Sequence, residues 1–75
     1  MGKYKYFMDK QGRLEVGYAL WRLRQEKGLT LSQASIQMNI PLRIIDCHEL
    51  GRIQQYTTMR QMSDFYGKKM KITFE

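Results

Sequence analysis

The sequence predicts a mostly α-helical single domain spanning residues 1–75, a bundle of four to five helices with a short β-strand at each end. Three observations predict it. Between about residues 13 and 66 apolar side chains recur at intervals of three and four, the period of a helix with one buried face. Between Gly28 and Gly51 two such stretches are separated only by Asn39-Ile40-Pro41, so two short helices meet at one tight turn. At both termini the period drops to two, which belongs to strands.

In chain order, residues 3–8 place Tyr4, Tyr6 and Met8 on one side of an extended segment and Lys3, Lys5 and Phe7 on the other, an aromatic-rich strand pattern. Asp9-Lys10-Gln11-Gly12 has turn composition. A long helix is expected over 13–27, with Val16, Leu20 and Leu23 as its core stripe and Leu14, Tyr18 and Trp21 widening or flanking it. Gly17 in its middle costs about 1 kcal/mol relative to Ala, and close packing is the reason expected for it. Gly28 supplies a left-handed C-cap.

Thr30 and Gln33 have the spacing of a capping box for a helix over 31–38, whose inner face is Leu31, Ala34 and Met38. Asn39 tolerates the left-handed backbone that a reversal requires, and Ile40 anchors the turn. Pro41 suits the first helical position, so the next helix covers 42–50. Its pattern turns Ile45 and His48 inward, Ile44 and Cys47 to a flank, and Leu42, Arg43 and Asp46 outward. A polar loop follows Gly51 and leads through capping threonines into a helix over 58–66 that buries Met59, Met62, Phe65 and Tyr66 and stops at Gly67. Met70, Ile72 and Phe74 then alternate along a strand over 69–75. A lone strand leaves backbone groups unpaired, so this one is expected to pair with the N-terminal strand or with its counterpart in a second subunit.

Thirteen Lys plus Arg against seven Asp plus Glu give a formal charge of +6, which suits a polyanion and most simply nucleic acid. The basic residues 3–8 have a second possible use, as an arm along a DNA backbone or minor groove. One cysteine allows no internal disulfide, in keeping with a reducing compartment. Apolar runs are too short for a transmembrane helix or a signal peptide, so a cytoplasmic protein without membrane contact is expected. A chain of this size buries only about 60% of its unfolded surface, and dimerisation would support it. Catalysis is not expected, because no paired carboxylates, activated nucleophile or phosphate-cradling glycine loop is present. No cofactor or metal is expected either: the single histidine, His48, fits a packed, hydrogen-bonded core-edge residue.

The stretch from Gly28 to Gly51, with Leu20, Leu23 and Arg24 ahead of Lys27-Gly28-Leu29-Thr30 and with Glu49-Leu50-Gly51 behind, resembles the phage Cro and repressor-like (XRE-type) helix-turn-helix family over about residues 14–67. The resemblance implies a lambda-repressor-like bundle acting as a small transcriptional regulator or repressor, a homodimer joined through terminal strands. It also implies an ion pair between Arg24 and Glu49 that ties the first helix to the recognition helix. An exposed pair would instead be worth under about 1 kcal/mol.

In that family the second helix of the motif enters the major groove while the first crosses the phosphate backbone. Carried over by position, the base-reading candidates are Leu42, Arg43, Asp46 and Cys47. Arg43 is the strongest, because an arginine fork matches guanine O6 and N7. The phosphate-positioning candidates are Ser32, Gln33, Arg52, Gln54, Gln55, Tyr56 and the amides of Thr57 and Thr58. The sequence departs from the family in a loop after Gly51 that is one residue short and in a recognition helix poor in Gln, Asn, Ser and Thr. Leu42, Ile44 and Cys47 therefore admit an alternative, a protein-binding surface of the antitoxin or anti-repressor kind on the same fold.

Overall fold

The computed structural model describes residues 9–69, and they form four helices: α1 (Lys10–Glu26), α2 (Leu31–Met38), α3 (Leu42–Glu49) and α4 (Tyr56–Phe65). The strand expected over 3–8, and that over 69–75 apart from Lys69, lie outside the described residues.

Helix α1 starts three residues earlier than its apolar stripe indicates. The Asp9 carboxylate accepts from the Gly12 amide at 2.9 Å, so Asp9-Lys10-Gln11-Gly12 is a capped first turn and not a separate reversal. Asp and Gly favour both arrangements, which is why composition alone chose the wrong one. Helix α2 opens with the full capping box: Gln33 donates its amide to Thr30 Oγ1 at 3.1 Å, and Thr30 donates its own to Gln33 Oε1 at 2.8 Å.

At the α2–α3 turn Asn39 takes a left-handed conformation with φ 58° and ψ 42°, and the chain reverses over the buried Ile40. Two carbonyls exposed by the reversal find side-chain donors. Ser35 Oγ donates to Ile40 O at 2.6 Å, and Gln61 Nε2 of α4 donates to Met38 O at 2.9 Å. Pro41 is the N-cap of α3, one place ahead of the first helical position, and contributes no side-chain cap.

The core is built from Leu20 of α1, Ala34 and Met38 of α2, Ile40 of the turn, Ile45 of α3, and Met62 and Tyr66 at α4, with Ile45 and Met62 fully buried. Leu14, Tyr18 and Trp21 do not join it: they are 42%, 59% and 41% exposed. At about 100° per residue they point some 120° away from Leu20, onto the outer side of α1.

Gly17 seats α1 directly on α3. A Cβ built there would overlap the Glu49 carbonyl oxygen and lie 2.7 Å from the His48 carbonyl oxygen, both backbone atoms that cannot swing aside. Replacing Gly17 with Ala should therefore destabilise the protein by about 1–3 kcal/mol, even though alanine is the better helix former by about 1 kcal/mol. Urea denaturation measures the difference, and an alanine variant as stable as the parent would show that the helices are not in backbone contact.

Candidate functional site

The exposed side of α3 is held in place from its buried side. Ile45, His48 and Glu49 are 0%, 2% and 8% exposed. Glu49 faces Arg24 of α1 in a two-pronged pair: Arg24 Nε donates to Oε2 at 2.7 Å and Nη2 to Oε1 at 2.8 Å. The third arm, Nη1, donates to the Leu29 carbonyl oxygen in the α1–α2 connection at 2.9 Å. One guanidinium thus joins three segments. The bond to Glu49 is the main cause that holds the Arg24 pKa above the ordinary arginine value, with burial opposing. The pair is no exposed surface contact, since its side chains are only 8% and 4% accessible.

His48 performs a second anchoring task. Its Nε2 accepts from the Gln55 backbone amide at 3.0 Å, which places the ring proton on Nδ1, from where it is donated to the Ile44 carbonyl oxygen at 2.8 Å. Gln55 is the N-cap of α4; its side chain caps no backbone amide of the helix and instead accepts from Thr58 Oγ1 at 3.1 Å. The histidine, seven residues back, therefore fixes where α4 begins. This accounts for α4 starting at Tyr56 with Thr57 and Thr58 inside its first turn, two residues ahead of the expected start. Their amides retain the expected character of first-turn donors.

The remaining candidates fall into three groups. On α3, Arg43 is exposed and Leu42 is 40% exposed, while Asp46 and Cys47 are half-buried. At the start of α2, Ser32 and Gln33 are exposed; the capping box commits the Gln33 carbonyl oxygen and leaves its amide end as the donor. In the loop after Gly51, where φ is 74°, Arg52 and Gln55 are exposed, as are Tyr56 and Thr57 in the first turn of α4.

Gln54 departs from this pattern. It is 5% exposed, because the loop folds back with the Arg52 amide on the Cys47 carbonyl oxygen and the Gln55 amide on His48. Its side chain is thus a core-edge group, turned away from the exposed set. Arg60, absent from the sequence-derived set, is exposed one turn beyond Tyr56 and lines with it, Asp64 and Lys69 a shallow polar depression. The i, i+4 spacing from Tyr56 was the available signal.

Behind the site, the Tyr66 hydroxyl is buried with no hydrogen-bond partner among the described residues. Its pKa is pushed up to about 12, first by burial and then by the Glu49 charge, with Arg24 opposing.

No family model, curated protein or solved structure matches the chain.

Removing Glu49 as Glu49→Ala strands the buried Arg24 charge and should cost about 3–5 kcal/mol, enough to unfold much of a domain this small. Circular dichroism during urea titration checks this, and a loss under about 1 kcal/mol would mark the pair as dispensable. Tyr66 generates a pH prediction. Its folded pKa lies above the ordinary tyrosine value of 10.0, so the stabilisation it contributes is complete below about pH 10 and declines as pH rises through about 12. Up to about 2–3 kcal/mol is lost across that window. Tyr66→Phe should abolish this part of the alkaline loss, and parallel stability curves for the two proteins between pH 9 and 11 would contradict the assignment.

Proposed function

We propose that the protein binds double-stranded DNA sequence-specifically, as a small transcriptional regulator of lambda-repressor-like helix-turn-helix fold, with α3 lying in the major groove. The observation that carries this reading is α3 itself. It follows α2 after a three-residue turn in which Asn39 is left-handed, is clamped on its inner side by the Arg24–Glu49 pair, and presents Arg43 to solvent. A short helix fixed from behind with an arginine fork in front is what reading guanine O6 and N7 requires. The formal charge of +6 and the exposed Arg52 and Arg60 support a polyanionic partner.

In this reading Arg43, Leu42 and the accessible parts of Asp46 and Cys47 face bases. Ser32, Gln33, Arg52, Gln55, Tyr56 and Thr57 position the phosphates, and Gln54 drops out. The protein acts as a homodimer on a pseudo-palindromic site, with half-sites about one helical turn apart.

One observation favours a second reading, a protein-interaction module on the same scaffold: Ile36 is 80% exposed and Leu42 40%. Against it, Ile44, one of the three residues of the apolar surface expected for such a module, is partly buried and packs on the core cluster.

Arg43→Ala should lose about 1–3 kcal/mol of DNA affinity and relax preference at one base pair, whereas Arg52→Ala should weaken every sequence alike. Fluorescence anisotropy on matched and mismatched duplexes separates the two. Equal losses on all duplexes for both variants would remove sequence reading from α3.

A further inference from the structure

Among the described residues, the outer face of α1 carries an apolar stripe that neither the core nor the proposed DNA surface uses. Leu14, Tyr18 and Trp21 lie within an arc of about 60° at helical spacing. Tyr18 and Trp21 stack with centroids 5.8 Å apart and planes 24° from parallel. At one end Leu14 abuts Gly51, and the adjacent Leu50 is 48% exposed. Together the three stripe residues leave roughly 300 Å² of apolar-rich surface in water, at the size where such patches are commonly functional.

We propose that this stripe is a self-association surface, in which α1 of one copy packs antiparallel on α1 of a second about a two-fold axis near Tyr18. The charges beside the stripe select this occupant. Glu15 and Arg22 are seven residues apart and therefore share one flank of α1. An antiparallel pairing centred at Tyr18 sets Leu14 against Trp21 of the partner subunit. It also brings Glu15 to within about one residue rise, roughly 1.5 Å, of register with Arg22 of the partner subunit.

The two-fold axis repeats each contact, as an isologous interface requires, so the surface is complementary to itself. Arg22 is available for this exchange: its contact with Glu26 is a 3.6 Å pair with both side chains 59% exposed, of a kind worth little in water. Glu15 and Glu26 beside the stripe disfavour nucleic acid as its occupant. Stacked Tyr and Trp are the residue types that anchor protein interfaces. A stable interface covers about 800 Å² per partner, so the stripe is its apolar centre and the flanks complete it.

The inference deepens the homodimer of the proposed function, but its surface is separate from α3 and its test uses the full chain without DNA, so failure here would leave base reading by α3 standing. Sedimentation equilibrium across about 10–500 μM should show a monomer–dimer equilibrium. Tyr18→Arg should weaken dimerisation at least about tenfold while leaving the thermal melt of the helices in place, since Tyr18 is 59% exposed. Glu15→Arg and Arg22→Glu should each weaken it, and the double variant should recover most of the loss. Ile72→Asp, in the C-terminal segment otherwise expected to dimerise, should have little effect. A chain that stays monomeric throughout, a dimer indifferent to Tyr18→Arg, a charge swap without recovery, or dissociation by Ile72→Asp would each overturn the proposal.

Discussion

The architecture depends on the contact between α1 and α3, where a glycine and a buried ion pair act together. Gly17 lets the α1 backbone come against the His48 and Glu49 carbonyls. That approach carries the Glu49 carboxylate to Arg24, where both prongs of the guanidinium engage it. A buried pair of this kind need not add net stability over well-packed apolar residues, because desolvation offsets most of its attraction. Its strength lies in direction: two parallel bonds and a third to Leu29 O permit one orientation of α3 relative to α1 and the α1–α2 connection.

Direction matters because α3 has little intrinsic reason to be a helix. It is eight residues long, begins at a proline without a side-chain cap, and is far shorter than a helix that is stable alone in water. Tertiary contacts therefore determine both its existence and its angle. His48 extends the same control to the next segment through the Gln55 amide, so α3, the loop and the start of α4 are positioned as one unit. If that unit reads DNA, its precision comes from residues that never touch the ligand.

Much of this was legible in the sequence because the informative residues are close together. The capping box needs only Thr30 and Gln33, the turn only Asn39 and Ile40, and the inward faces of α2 and α3 only spacing. What was illegible depends on partners far along the chain. The start of α4 is set by His48, seven residues earlier, and no local rule connects the two. Gln54 reads as a polar loop residue, and only the fold-back onto Cys47 and His48 turns it inward. Leu14, Tyr18 and Trp21 have the same three-and-four spacing as the true core stripe of α1, so periodicity cannot tell which stripe is covered. The Arg24–Glu49 pair spans 25 residues and came from family resemblance, not from spacing.

Base reading by α3 is tested most directly by selection of a random duplex library on the purified protein at about 150 mM salt, followed by sequencing. Lower salt would let a +6 protein hold any DNA through its phosphates. The expected result is enrichment of a two-fold related motif with a guanine at the position facing Arg43. Binding that is weak, falls with salt and enriches no sequence would contradict it and shift the function of α3 to protein contacts centred on Leu42.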